Sequence, residues 1–300
     1  MQDSFFQRFR GWANPWLGVM VPMLLAVMTT TVGGADAPGI FDVLEKRLIA
    51  DGFERDRIEA IFASPGVSFE KRGVSAYFMH NEATLNYQQF LEAGPISSAM
   101  DYLQAHDAAL ASAEQTYGVD KEVITAIILV ETRLGTYTGN KFLLNTLATL
   151  SAMDQAAPRQ VIWDNLPDDE RRMSRAQFEK KADQKAGWAY RELKAFLTYT
   201  QKEGFDPTRI QGSYAGAMGI SQFMPSNIAP YAKDGNGDGQ VDLFVHADAI
   251  ASVAGYLKHY GWRPGLTREQ AFKAVYHYNH SKYYVNTILD IADLLKEERS

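Results

Sequence analysis

The 300-residue sequence has no cysteine. Disulfides, thiolate metal sites, a thiol nucleophile and a lipid-bearing N-terminal cysteine are therefore excluded, and stability must come from the core alone. A basic surplus is missing as well. The 30 Lys and Arg stand against 36 Asp and Glu, a formal charge of -6, which argues against a nucleic-acid binder held by phosphate contacts. Low-complexity tracts and internal repeats are lacking. So is an apolar run of about 20 residues, the length that spans a bilayer comfortably. The most apolar early stretch, residues 16–28, is shorter and is interrupted by Gly18 and Pro22. With Arg8 and Arg10 before it and Gly33, Gly34, Ala35 and Ala37 after it, it reads as an export signal over residues 1–34. Cleavage, retention as an N-terminal anchor and a buried first helix stay open. The expected location of the rest is the periplasm, with the membrane reached only through an uncleaved N-terminal segment.

What is present is a globular composition, 46% hydrophobic and 22% charged. Apolar residues recur at helical spacing, so the expected class is mainly α. Helices are predicted over 41–52, 55–63, 97–117, 143–153, 188–203, 247–260 and 268–277, with a last one from about 284. Another starts behind Asp120, a candidate N-cap, with Glu122 in its first turn. Residues 67–95 read as less regular, with turn residues ending at Gly94-Pro95. Residues 154–186, with the cluster Asp168-Asp169-Glu170-Arg171-Arg172, read as a solvated charged insertion or a helical face.

Four features carry chemistry. Glu131 ends the nearly continuous apolar run 123–130, with Ile127 and Ile128 on its own face. Burial there disfavours the ionised form and suits a general acid, whereas pairing with Arg133 or Lys141 would make it structural. Residues 212–225, GSYAGAMGISQFMP, combine close-packing glycines with Ser213, Tyr214, Ser221 and Gln222 beside Met218, Phe223 and Met224. That mixture suits a sugar and equally suits tight helix packing; the phosphate-loop ending is absent. Asp234, Asn236 and Asp238, the glycine at 239 and the Gln240 carbonyl match the opening of a calcium loop. Position twelve is Val245 in place of a bidentate Glu, and Asp248 is the residue placed to close the site. A structural calcium, another ion and an empty turn all fit. Finally, Tyr276-His277-Tyr278-Asn279-His280 with Tyr283 and Tyr284 suits packing or sugar contact better than metal.

Together these segments resemble the lytic murein transglycosylase B family, from about Phe41 to the C-terminus. The resemblance rests on Val130-Glu131-Thr132-Arg133 with Gly135, Leu147-Ala148-Thr149-Leu150-Ser151, residues 212–225, the Asp234 loop and Tyr278-Asn279. It implies a lysozyme-like α domain over 38–300, with a smaller subdomain carrying an EF-hand-like loop at 234–248. It implies Glu131 as the one catalytic residue, acting as acid and then base to cleave the MurNAc-GlcNAc β-1,4 bond with closure of a 1,6-anhydro ring. Ser213, Tyr214, Gln222, Met224, Tyr278, Asn279 and Tyr284 would contact substrate. Asp234, Asn236, Asp238, Gln240 and Asp248 would hold a structural calcium, and no cofactor would enter the chemistry. The implied partners are peptidoglycan glycan strands and proteins of cell-wall synthesis or envelope machines. A hydrolytic muramidase on the same fold and a non-catalytic glycan-binding protein are the alternatives.

Overall fold

The structure, a computed structural model, describes residues 39–79, 86–167 and 173–299. The proposed export signal and the charged cluster 168–172 lie outside the described residues. Thirteen α-helices occur among the described residues: α1 Asp42–Ala50, α2 Arg55–Phe62, α3 Lys71–Met79, α4 Ala93–Ala105, α5 Asp107–Tyr117, α6 Lys121–Thr132, α7 Leu143–Ala152, α8 Ala156–Asp164, α9 Arg175–Glu203, α10 Pro225–Tyr231, α11 His246–His259, α12 Arg268–Tyr276 and α13 Lys282–Glu298. Two short antiparallel strands, β1 (Lys141–Phe142) and β2 (Gln211–Gly212), pair Lys141 with Gly212 and Phe142 with Gln211.

Two apolar cores organise these helices. One gathers Leu44, Ile58, Val74, Phe78, Leu147, Phe178 and Phe196 from α1–α3, α7 and α9. The other gathers Leu103, Leu110, Ile124, Ile127, Val253, Val275 and Ile288 from α4–α6 and α11–α13. The glycine-rich segment joins them. Met218 and Phe223 enter the first core, while Ile220 enters the second. Every residue of α7 is buried, and α7 packs chiefly on α9 as α6 packs on α13. Such all-round apolar helices need a neighbour on each side.

Two expectations are corrected and a third is narrowed. The helix expected over 97–117 is two helices broken at His106, whose ring stacks with His246 at 4.4 Å and lies 4.3 Å from Tyr102. The stretch 67–95 holds α3 and a 3₁₀ turn, Tyr87–Leu91. The stretch 154–186, expected as a solvated insertion or a helical face, is largely helical among its described residues. It forms α8, and α9 starts at Arg175 behind a capping box of Ser174 and Gln177. A narrow stripe of that long helix, Phe178, Ala182 and Ala186, is fully buried. Asp120 does occupy the N-cap of α6, but its side chain caps nothing and instead meets Lys296.

Candidate functional site

Glu131 lies in the last turn of α6, at the edge of the second core. The residue is half-buried, yet its carboxyl is so enclosed that burial lifts its pKa from 4.5 to about 7. The Tyr284 hydroxyl donates to its Oε1 at 2.7 Å and partly opposes that rise. No ion pair reaches Glu131 among the described residues. Lys141, one of the two pairing partners weighed from the sequence, faces Glu70 at 3.5 Å instead. Tyr284 is 1% exposed, and Tyr87 meets its ring edge-on at 6.2 Å. Burial and the neighbouring Glu131 hold the phenols of both Tyr284 and Tyr278 well above their usual pKa, so both remain protonated donors.

The chain leaves α6 through two left-handed residues, Arg133 (φ 50) and Leu134 (φ 61). Non-glycine residues adopt that conformation only when surroundings enforce it. The enforcement comes from Thr132, which is 1% exposed. Its Oγ1 donates to the Ile220 carbonyl at 2.9 Å and accepts from the Gly135 N–H at 3.0 Å. Thus the turn after Glu131 is tied to the glycine-rich segment.

That segment is a folded loop, not a helix-packing motif. Gly212 bridges to Met218 and Met218 to Phe223. Gly139 approaches Gly212 so closely that a Cβ would stand 2.1 Å from the Gly212 carbonyl group, which glycine alone permits. Gln222 is left-handed (φ 48), and its Nε2 donates to the carbonyls of Gly219 at 2.8 Å and Thr138 at 3.1 Å. Tyr278 donates to the Ser221 carbonyl and stands close enough to Glu131 to feel its charge. The structure thereby brings Glu131, Tyr284, Tyr278 and the 219–222 turn together. Asn279 is half-buried beside Tyr278.

Ser213 and Tyr214 open the segment and Met224 closes it. The Ser213 hydroxyl accepts the Ala217 N–H at 3.0 Å, an internal turn bond. Burial, and Tyr77 of α3 in its electrostatic neighbourhood, raise the Tyr214 pKa, and Met224 reaches towards Gly216. Two roles escaped the sequence reading: that of Thr132, named there only as a motif residue, and that of the buried Glu192, which accepts from the Ser226 N–H and hydroxyl, each at 2.9 Å, to anchor α10.

The Asp234 loop is closed by its own side chains. Asp234 accepts from the Gly237 and Gly239 N–H groups, and Asp238 accepts from that of Gln240. Asp248, 1% exposed, accepts from the N–H groups of Gly235 and Asp242. The donors are all oxygens, which suits a hard cation, and these hydrogen bonds leave further lone pairs. Among the described residues, however, no group of three or more carboxylates or imidazoles is drawn together as a metal cluster.

Residues 37–270 match the family model described as transglycosylase SLT domain. The chain is 37% identical over 186 residues to membrane-bound lytic murein transglycosylase B of Escherichia coli (strain K12), covering 62% of this chain and 44% of that protein. The match thus spans less than half the relative's length. The fold superimposes on soluble lytic transglycosylase SltB1 from Pseudomonas aeruginosa with a TM-score of 0.70 at 25% identity, over 87% of this chain and 99% of that one. It also superimposes on the Escherichia coli lytic transglycosylase Slt35 in complex with calcium, with a TM-score of 0.65 at 25% identity, over 87% and 94% of the two chains.

Proposed function

The chain belongs to the transglycosylase SLT domain family, and on that premise we propose that it is a peptidoglycan lytic transglycosylase acting in the cell envelope. It cleaves the β-1,4 bond between MurNAc and GlcNAc and leaves a 1,6-anhydro-MurNAc end. The observation that carries this reading is Glu131, a half-buried carboxyl with its pKa near 7 and a phenol fixed on one oxygen.

The chemistry follows from that environment. Because Tyr284 donates to Oε1, the carboxylic proton belongs on Oε2. Oε2 gives this proton to the bridging oxygen, and the C1–O electron pair leaves with that oxygen. Positive charge at C1 is met by the carbonyl oxygen of the sugar's own N-acetyl group. Glu131, now ionised, accepts the C6 hydroxyl proton as that oxygen attacks C1 and closes the ring. One residue performs both steps, whereas ordinary glycosidases divide them between two carboxyls. Ser213, Tyr214, Gln222, Met224, Tyr278 and Asn279 serve as sugar contacts, and Tyr284 additionally holds the acid in position.

A structural calcium at Asp234, Asn236, Asp238, the Gln240 carbonyl and Asp248 is part of this proposal. Oxygen donors and loop spacing support it, and it would stiffen the approach to α11 without entering the reaction. Export by residues 1–34 to the periplasm and recruitment by cell-wall synthesis proteins are proposed likewise. The deciding experiment is mass spectrometry of sacculus digests by the wild type and Glu131→Gln. Anhydro-muropeptides from the wild type alone are expected. Reducing ends would establish a hydrolytic muramidase, and equal products from both proteins would remove Glu131.

A further inference from the structure

The charges of α9 divide between two faces. Glu179 and Asp183 pair with Arg159 of α8 at 3.1 and 2.9 Å. Lys181 and Lys185 stand two positions further on, about 200° round the helix, against α3. The Lys185 ammonium lies 5.2 Å from the centre of the Tyr77 ring and 4.9 Å from that of Trp188. The Lys181 ammonium lies 6.0 Å from Tyr77 and 5.3 Å from Phe78.

Both lysines are half-buried, and neither meets a carboxylate among the described residues. Like charges one turn apart repel, and burial together with Lys185 pushes the Lys181 pKa down. Among the described residues, then, two poorly hydrated cations stand with no anion beside them. Their aromatic wall reaches the neighbourhood of the candidate site, since Tyr77 is near enough to Tyr214 of the glycine-rich segment to interact with it electrostatically.

We propose that Lys181 and Lys185, backed by Tyr77 and Trp188, bind carboxylates of the peptide stems that hang from the muramic acid residues of the glycan strand. This rests on the transglycosylase reading above. A stem offers what the wall lacks: free carboxylates for the ammonium pair and short aliphatic side chains for the ring faces. The site acts on substrate choice, favouring strands that carry stems over bare glycan.

The test compares kcat/KM on stem-bearing strands with kcat/KM on the same strands stripped of peptide by an amidase. The wild type should prefer stem-bearing strands. Replacing both lysines (K181Q and K185Q together) keeps much of the aliphatic packing and should reduce that preference about fivefold, the effect of losing two partly exposed ion pairs. The arginine pair, K181R with K185R, should retain it, and added salt should erode it in the wild type. Melting curves verify that each variant is folded. A preference unchanged in the glutamine pair overturns the proposal, as does a wild type indifferent to stems. A wild type that releases no anhydro product from either substrate would instead sink the transglycosylase reading.

Discussion

Replacing Glu131 by glutamine should make the protein more resistant to unfolding at alkaline pH than the wild type, and by an amount that depends on pH. The folded carboxyl has a pKa raised from 4.5 to about 7, with burial the chief cause. An acid whose folded pKa is raised stabilises the fold fully below its unfolded pKa and loses that contribution as pH climbs through the folded value. Between about pH 4 and pH 8 the wild type should therefore lose up to ~3 kcal/mol from this group. Water on the open side of the residue screens part of this, so roughly 2 kcal/mol is expected. The amide is isosteric, does not titrate and still accepts from Tyr284. Urea unfolding of both proteins at several pH values, plotted as the difference in free energy, cancels the other titrating groups. The difference should grow through the window from about 4.5 to 7 in favour of the variant. A difference constant across that window would refute a desolvated carboxyl at position 131, whatever the activity data say.

Three further outcomes are expected. Tyr284→Phe removes the donor that favours the ionised form of Glu131, so the fall in kcat/KM on the alkaline side should move to higher pH, at a stability loss of about 1–2 kcal/mol; a pH-rate profile identical to the wild type's would place the phenol outside the mechanism. Chelator should lower the melting temperature by about 5 °C if calcium holds the Asp234 loop, and superimposable scanning-calorimetry traces with and without chelator count against the ion. Gly139→Ala forces a Cβ into the Gly212 backbone, 2.1 Å away, and should cost about 3 kcal/mol or more in chemical denaturation; a neutral result would mean that the β1–β2 pairing is not rigid.

The helices easiest to read from the sequence were those whose apolar residues are nearly continuous, such as α6 and α7, because burial on all sides leaves little ambiguity. The break between α4 and α5 was hidden, since helical periodicity runs through His106 undisturbed. At the break His106 stacks on His246, which arrives from another part of the sequence. The start of α9 was hidden for a different reason. Its buried stripe is one Phe and two Ala, and the surrounding charges are settled by Arg159 from another helix. Tyr284 was legible as part of an aromatic cluster and so as a sugar contact. Its bond to Glu131 joins residues 153 positions apart, and no local pattern encodes that.

A single carboxyl working twice places a demand on its surroundings that neither helix nor loop meets alone. With an unshifted pKa of 4.5, about one molecule in 300 would hold the proton at pH 7, and the first step would starve. With a pKa far above 7 the conjugate base would regain a solvent proton before taking the one from C6. Burial supplies the upward push, and the position of Glu131 in the last turn of α6 adds to it, because the carbonyl end of a helix disfavours an anion. Tyr284 supplies the restraint, from α13. The balance therefore depends on α6 and α13 packing together in the second core. A cavity there, made for example by Ile288→Ala, should disturb the pH dependence of turnover before it unfolds the chain, because the phenol would move relative to the acid while each residue kept its identity.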